Sequence, residues 1–307
     1  MRMKKVFLTG FIGLNLLLGS SNADAISYFM QGSNPGSVTP YGNNTSIGQY
    51  VQAGDAKIYY EVYGDGAPIF IFHGGGVGSS YELGKIIDDL RYNYKVVVIS
   101  TRGHGRSEIG HTPLTYEQKA DDMLAVMKKI TSLPAQIIGF SDGAYTAYKV
   151  AAMYPERVER VVAIGAGTLE AGYFSGEMKV EDMQKIDPEF MKFESQIRPE
   201  PERTQEFYTK YMDFWSRMSV GEEVFGKIKC PVLLIVGDED DHAPVATVLK
   251  AHQMLENSRL CVVPKAYHGA FNDNYDVVRP AILQFVTAPI KDLKSSNKVP
   301  YNSEHIR

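Results

Sequence analysis

Gly139-Phe140-Ser141-Asp142-Gly143 is the stretch whose residue types and spacing bear most directly on chemistry. It follows the apolar run Gln136-Ile137-Ile138 and leads into Gly143–Tyr154, a helical pattern ended by Pro155. Small residues are required around a strained strand-to-helix turn, and such a turn lifts the serine Oγ clear of the sheet as a nucleophile. A serine before a helix also serves as an N-cap, but the preceding strand favours the nucleophile. A hydroxyl attacks only if a base takes its proton and a carboxylate orients that base. His268, in Ala266-Tyr267-His268-Gly269, follows the last apolar run, Leu260–Val263, and so falls at the carboxyl edge of an open sheet, where ligands bind. His252 lies within a helical stretch, His242 in an acidic loop, His111 on an earlier loop and His305 in the C-terminal tail, so His268 is the preferred base. Gly237-Asp238-Glu239-Asp240-Asp241-His242-Ala243-Pro244 follows the run Val232–Val236 and supplies an acid in the order Ser, Asp, His, with four carboxyl groups competing for the role.

The elements that must position these groups are legible as alternating patterns. Uninterrupted apolar runs at Ile69–Phe72, Val96–Ile99, Gln136–Gly139, Val161–Ile164, Val232–Val236 and Leu260–Val263 read as strands buried on both faces. Helical patterns at Leu83–Leu90, Thr115–Ile130, Gly143–Tyr154, Ala243–Glu256 and Asn274–Val286, the last interrupted by Pro280, separate them. Strand and helix in alternation imply an α/β fold with a doubly wound, mostly parallel sheet. Tyr50–Gly64 reads as an edge hairpin turning at Gly54-Asp55. Residues 168–226 break the rhythm with aromatic and charged residues at helical spacing and are expected to form a small helical lid.

His73-Gly74-Gly75-Gly76, directly after the first of these core strands, lets backbone N–H groups approach a substrate closely. Together with Ser141, the acidic loop and His268, it resembles the α/β-hydrolase family across roughly residues 50–287. That resemblance implies a serine hydrolase. Its acid loop, G-x-x-D-x-x-x-P, maps the triad acid onto Asp240 with Pro244 completing the pattern, and Asp238 is the alternative. It also implies an oxyanion hole formed by the N–H groups of Gly75 and Asp142. The family's D-x-R-G-x-G-x-S loop is matched by Ser100–Ser107 except that Ser100 replaces the acidic residue. The G-F-S-D-G elbow resembles the valacyclovir-hydrolase-like branch, and the His-Gly-Gly start resembles proline iminopeptidases.

Asp142 places an acidic side chain next to the nucleophile, which points to amine-bearing or neutral acyl substrates and disfavours anionic ones; as a first-turn residue it also complements the helix dipole. Asp142 and, from the lid, Trp215 are the expected substrate-binding residues. The reaction implied is cleavage of a small-molecule carboxylic ester, or an amide, through an acyl-enzyme that needs no metal or organic cofactor. An aminopeptidase of the proline-iminopeptidase type and a catalytically silent binding module are the alternatives.

Composition agrees with a soluble globular chain: of 307 residues, 44% are hydrophobic and 22% charged, and the formal charge is −4. No concentrated basic stripe suggests nucleic acid as a partner. Residues 1–25 read as a signal peptide, with Arg2, Lys4 and Lys5 before the apolar run Val6–Gly19 and Ala23-Asp24-Ala25 as the cleavage site. This predicts a periplasmic or secreted protein, with no membrane span after cleavage behind Ala25. Residues 26–47 read as a flexible tether and residues 288–307 as a disordered tail. Cys230 and Cys261 are expected as two buried thiols rather than a bridge, because neighbouring parallel strands rarely present the required geometry.

Overall fold

The computed structural model describes residues 37–293 and the backbone of Val6–Phe7; the remainder of the expected signal segment and the end of the chain lie outside the described residues. Eight strands form the central sheet: β1 (Gln49–Ala53), β2 (Ala56–Tyr63), β3 (Pro68–Phe72), β4 (Lys95–Ile99), β5 (Ala135–Phe140), β6 (Val158–Ile164), β7 (Val232–Gly237) and β8 (Ser258–Val263). Their spatial order is β1-β2-β4-β3-β5-β6-β7-β8. The β1/β2 and β2/β4 pairs are antiparallel and the other pairs are parallel, so the hairpin read at Gly54-Asp55 forms one edge.

The long helices are α1 (Gly84–Leu90), α2 (Tyr116–Ile130), α3 (Asp142–Met153), α4 (Val180–Ile186), α5 (Pro188–Ile197), α6 (Thr204–Arg217), α7 (Val245–Met254) and α8 (Tyr275–Thr287). Side chains alternate across a strand. In β3, Ile69 and Ile71 therefore join one core while Phe70 and Phe72 join the other, and all four are fully buried. Helices α1 and α8 cover the isoleucine face; α2, α3 and α7 cover the phenylalanine face. This two-sided cover is why the strands read as unbroken apolar runs rather than as an alternation. Helices α4 to α6 occupy the insertion between β6 and β7. A Cβ on Gly103, in the loop after β4, would run into the ring of Phe207 on α6, so the insertion packs directly on the strand ends.

Three local expectations need correction. Residues 37–47 are not a free tether: Tyr41 is fully buried, its hydroxyl donates to Asp88 at 2.6 Å, and Glu61 accepts the N–H groups of Gly42 and Asn44 at 2.9 and 2.6 Å. The chain beyond Ala288 also continues into one further helical turn, Ile290–Leu293, because Leu293 finds a place in the core beside α8. Pro280 does not interrupt α8: the helix runs through it from Tyr275 to Thr287, and the missing N–H forfeits a single backbone bond. Cys230 and Cys261 are both free thiols; burial pushes Cys230 up to about 12 and raises Cys261 as well.

Candidate active site

Ser141 joins β5 to α3 with φ at +51°, a conformation L-residues seldom adopt. Its N–H donates to Ile164 O at 2.8 Å, and its own carbonyl accepts from Ala144 at 2.9 Å and Tyr145 at 3.1 Å. Glycine is obligatory on both sides. A Cβ at Gly139 would come within 2.5 Å of Gly143 O and 2.7 Å of the Ala144 backbone, and one at Gly143 would press on the carbonyls of Phe72 and His73. The elbow is thus wedged between β3 and β5, and the surrounding contacts hold the strained serine in place.

His268 Nε2 lies 2.8 Å from Ser141 Oγ. On the other side of the ring, Nδ1 lies 2.9 and 3.1 Å from the two carboxylate oxygens of Asp240. The pairing with an ionised acid fixes the proton on Nδ1 and leaves Nε2 as an acceptor toward the serine hydroxyl. Asp240 is buried, and one of its oxygens also accepts the N–H groups of His242 at 2.9 Å and Ala243 at 2.8 Å. Burial works against its charge, but His268 and the Ala243 N–H outweigh it and hold the carboxyl below its ordinary range. The competing acids sit elsewhere: Asp238 accepts the N–H of Ala266 at 3.2 Å, and Asp241 lies 2.8 Å from Nδ1 of His242. Among the described residues, Asp240, His242 and His268 form one group with ligand atoms within 4.8 Å of one another. Both nitrogens of His268 and the carboxylate of Asp240 are already engaged in the hydrogen bonds above.

The loop His73–Gly78 is fixed bond by bond. His73 Nε2 accepts the N–H of Thr101 at 2.9 Å, which leaves Nδ1–H to donate to Gly74 O at 2.6 Å. Burial lowers the His73 pKa to about 4, consistent with a neutral ring. Gly74 N–H donates to Glu82 at 2.5 Å, and Gly78 N–H donates to Gly75 O at 3.0 Å. Among the described residues, the N–H groups of Gly75 and of Asp142, the first residue of α3, donate no hydrogen bond. Gly75 is closely walled: a Cβ there would fall 2.6 Å from the Trp215 ring and 2.8 Å from Asp142 Cβ.

The side chain of Asp142 is where expectation and structure part. It is not an open anionic contact. One carboxylate oxygen forms a buried ion pair with the ammonium of Lys119 on α2; the other accepts the indole N–H of Trp215 at 3.2 Å and lies 3.5 Å from the Tyr116 hydroxyl. Lys119 also donates to the Tyr211 hydroxyl at 3.2 Å. Burial, reinforced by the Asp142 charge, drives the phenols of Tyr116 and Tyr211 far above their usual range, so both stay protonated. The carboxylate's charge is therefore compensated inside the protein, which removes the basis for reading Asp142 as a free counter-ion for a substrate amine. Trp215 does line the cleft at Ser141, with Asp142, Tyr145, Phe174, Met218 and His242.

No motif, and no spacing to a motif, points to Lys119, yet its position carries a signal. Tyr116, Ala120, Met123 and Met127 form the buried stripe of α2, and Lys119 sits in that stripe three residues after Tyr116. A lysine on the inward face of an amphipathic helix needs a buried partner.

Comparison with known proteins follows the same lines. Residues 68–190 match the family model described as the alpha/beta hydrolase fold. An uncharacterized hydrolase of Bacillus subtilis (strain 168) is 33% identical over 114 residues, covering 36% of this chain and 42% of that protein. The 2-hydroxy-6-oxo-6-(2'-aminophenyl)hexa-2,4-dienoic acid hydrolase of Metapseudomonas resinovorans is 23% identical over 265 residues, covering 78% of this chain and 91% of that one. Among solved structures, a serine hydrolase involved in carbazole degradation superposes with a TM-score of 0.68 at 21% identity, over 78% of this chain and 98% of that chain. Sheet order, two-sided helix cover and these matches agree, and the chain has the α/β-hydrolase fold, with residues 68–190 carrying the family match.

Proposed function

We propose that the protein is a serine hydrolase that cleaves carboxylic esters of neutral acyl groups through a Ser141-His268-Asp240 triad, acting in the periplasm or outside the cell. The observation that carries this reading is the unbroken chain of hydrogen bonds from Ser141 Oγ through both nitrogens of His268 to a buried, ionised Asp240. His268 Nε2 takes the hydroxyl proton as Oγ attacks the carbonyl carbon. The oxyanion that forms rests on the N–H groups of Gly75 and Asp142, whose backbone amides have no competing acceptor among the described residues. Collapse breaks the ester bond, and the imidazolium returns its proton to the departing alkoxide. Water, deprotonated by the same ring, then cleaves the acyl-enzyme and frees Ser141.

Asp240 remains ionised throughout; its task is to hold the ring in one tautomer and to stabilise the imidazolium. The apolar side of the cleft, from Tyr145, Phe174, Trp215 and Met218, favours an uncharged acyl chain. The similarity to proteins described as hydrolases supports the reaction class. The test is hydrolysis of p-nitrophenyl acetate and butanoate by the wild type and by Ser141→Ala. Turnover by the wild type that falls at least about a thousandfold in the variant is expected; equal turnover by both would exclude Ser141 as the nucleophile.

A further inference from the structure

We infer that Lys119 is a specificity-determining residue: its ammonium is an internal cation that occupies the carboxylate of Asp142, the neighbour of the nucleophile, so that the enzyme selects acyl groups lacking an α-ammonium. The inference rests on the serine-esterase reading above and assigns its preference for uncharged acyl groups to a residue outside the triad.

Lys119 and Asp142 are each only 2% exposed. Their charges face one another directly behind the elbow, with no solvent to share the compensation. The lysine is held there by more than one contact. Its ammonium donates to the Tyr211 hydroxyl at 3.2 Å and stands 5.3 and 5.9 Å from the ring centres of Tyr211 and Phe214, where the faces of aromatic rings favour a cation. Asp142 is likewise closed off on its other oxygen by Trp215 Nε1.

Asp142 nevertheless contributes to the wall of the cleft next to Ser141. A carboxylate one residue from the nucleophile is within reach of substituents on the α-carbon of a bound acyl group, and on its own it would attract an ammonium there. With Lys119 in place, that ammonium would meet a carboxylate already neutralised and a second positive charge behind it. The remaining lining residues Tyr145, Phe174, Trp215 and Met218 carry no charge, and beside His242 the adjacent carboxylate, Asp241, is already paired with that histidine at 2.8 Å. Entry would strip water from the substrate cation for no return, which selects against it. Removing the lysine should reverse the preference, because Asp142 would then lack a cation and the ammonium of a bound amino ester could take that place and stabilise the ionised carboxylate.

The experiment compares kcat/KM for ethyl propanoate and alanine ethyl ester at a pH that keeps the amine protonated, in the wild type, Lys119→Met and the double variant Lys119→Met/Asp142→Asn. The wild type should prefer the propanoate ester by at least about tenfold. In Lys119→Met the ratio should shift toward the amino ester by tenfold or more, and in the double variant, which has neither charge, that shift should vanish. A purely structural role for Lys119 would lower both rates together and leave the ratio where it was. A wild type that hydrolyses the amino ester faster overturns the inference with no variant needed, which covers the case in which Lys119→Met fails to fold. An unchanged ratio in a folded Lys119→Met that still hydrolyses both esters overturns it as well. If wild type cleaves neither ester, the esterase reading itself fails, and the inference with it.

Discussion

Both carboxylate oxygens of Asp240 approach Nδ1 of His268, at 2.9 and 3.1 Å, and one of them simultaneously accepts two backbone N–H groups of the turn that follows. The acid is thereby fixed from two directions: by the imidazole it orients and by the loop that carries it.

Substituting Asp240→Asn should therefore damage catalysis far more than folding. The amide keeps the shape and one acceptor for the turn, but it stabilises the wrong imidazole tautomer and cannot stabilise imidazolium. A loss in kcat on the order of 10⁴ is expected from steady-state kinetics on an activated ester. Asp238→Asn is the matched control. Its contact is with the Ala266 N–H, which an amide oxygen also satisfies, and activity should stay within about threefold of wild type.

Gly75→Ala tests the backbone wall opposite the nucleophile. The added methyl would fall 2.6 Å from the Trp215 ring and 2.8 Å from Asp142 Cβ, and closer still to the Tyr211 hydroxyl, so either the loop or α6 must shift. Displacing an oxyanion donor costs on the order of a hundredfold or more in kcat. The expected signature is a fall in kcat with fluorophosphonate labelling slowed in parallel; an unaltered kcat would argue that Gly75 supplies no donor.

Glu82 gives a pH dependence of stability with a definite sign. Burial lifts its carboxyl from the ordinary 4.5 to about 8, against the opposing pull of the Gly74 and Ser79 N–H groups. A carboxyl with a raised folded-state pKa binds its proton more tightly in the native than in the unfolded chain, so folding loses stability as pH rises from about 4.5 through about 8. Glu82→Gln keeps an acceptor for Gly74 N–H and removes the titration. Thermal unfolding from pH 5 to pH 9 should show wild type losing several degrees of Tm relative to the variant across that window. Parallel curves for the two proteins would contradict the assignment.

Much of this site could be read from the chain because it is built from local patterns. The glycines around Ser141 are dictated by contacts within a few residues of the elbow and by β3 beside it, and His268 and the acid loop each sit directly after a core strand. What escaped is non-local or solitary. The partner of Asp142 comes from a different helix, so no spacing around the elbow reveals Lys119; only its place in the Tyr116–Met127 stripe does. Tyr41 and Leu293 are single buried side chains in otherwise polar segments, and one apolar residue creates no periodicity to detect. Asp240 and Asp238 were separable by loop pattern but not by chemistry, since two carboxylates two residues apart differ only in where the turn aims them.

A Ser141-His268-Asp240 triad requires Ser141 to be an activated nucleophile, and the most direct measurement is covalent labelling with a fluorophosphonate probe followed by peptide mass spectrometry. The expected result is a single phosphonylated site at Ser141, lost in Ser141→Ala and slowed strongly in Asp240→Asn. Folded wild-type protein that remains unlabelled, or a label carried by another residue and retained in Ser141→Ala, would contradict it.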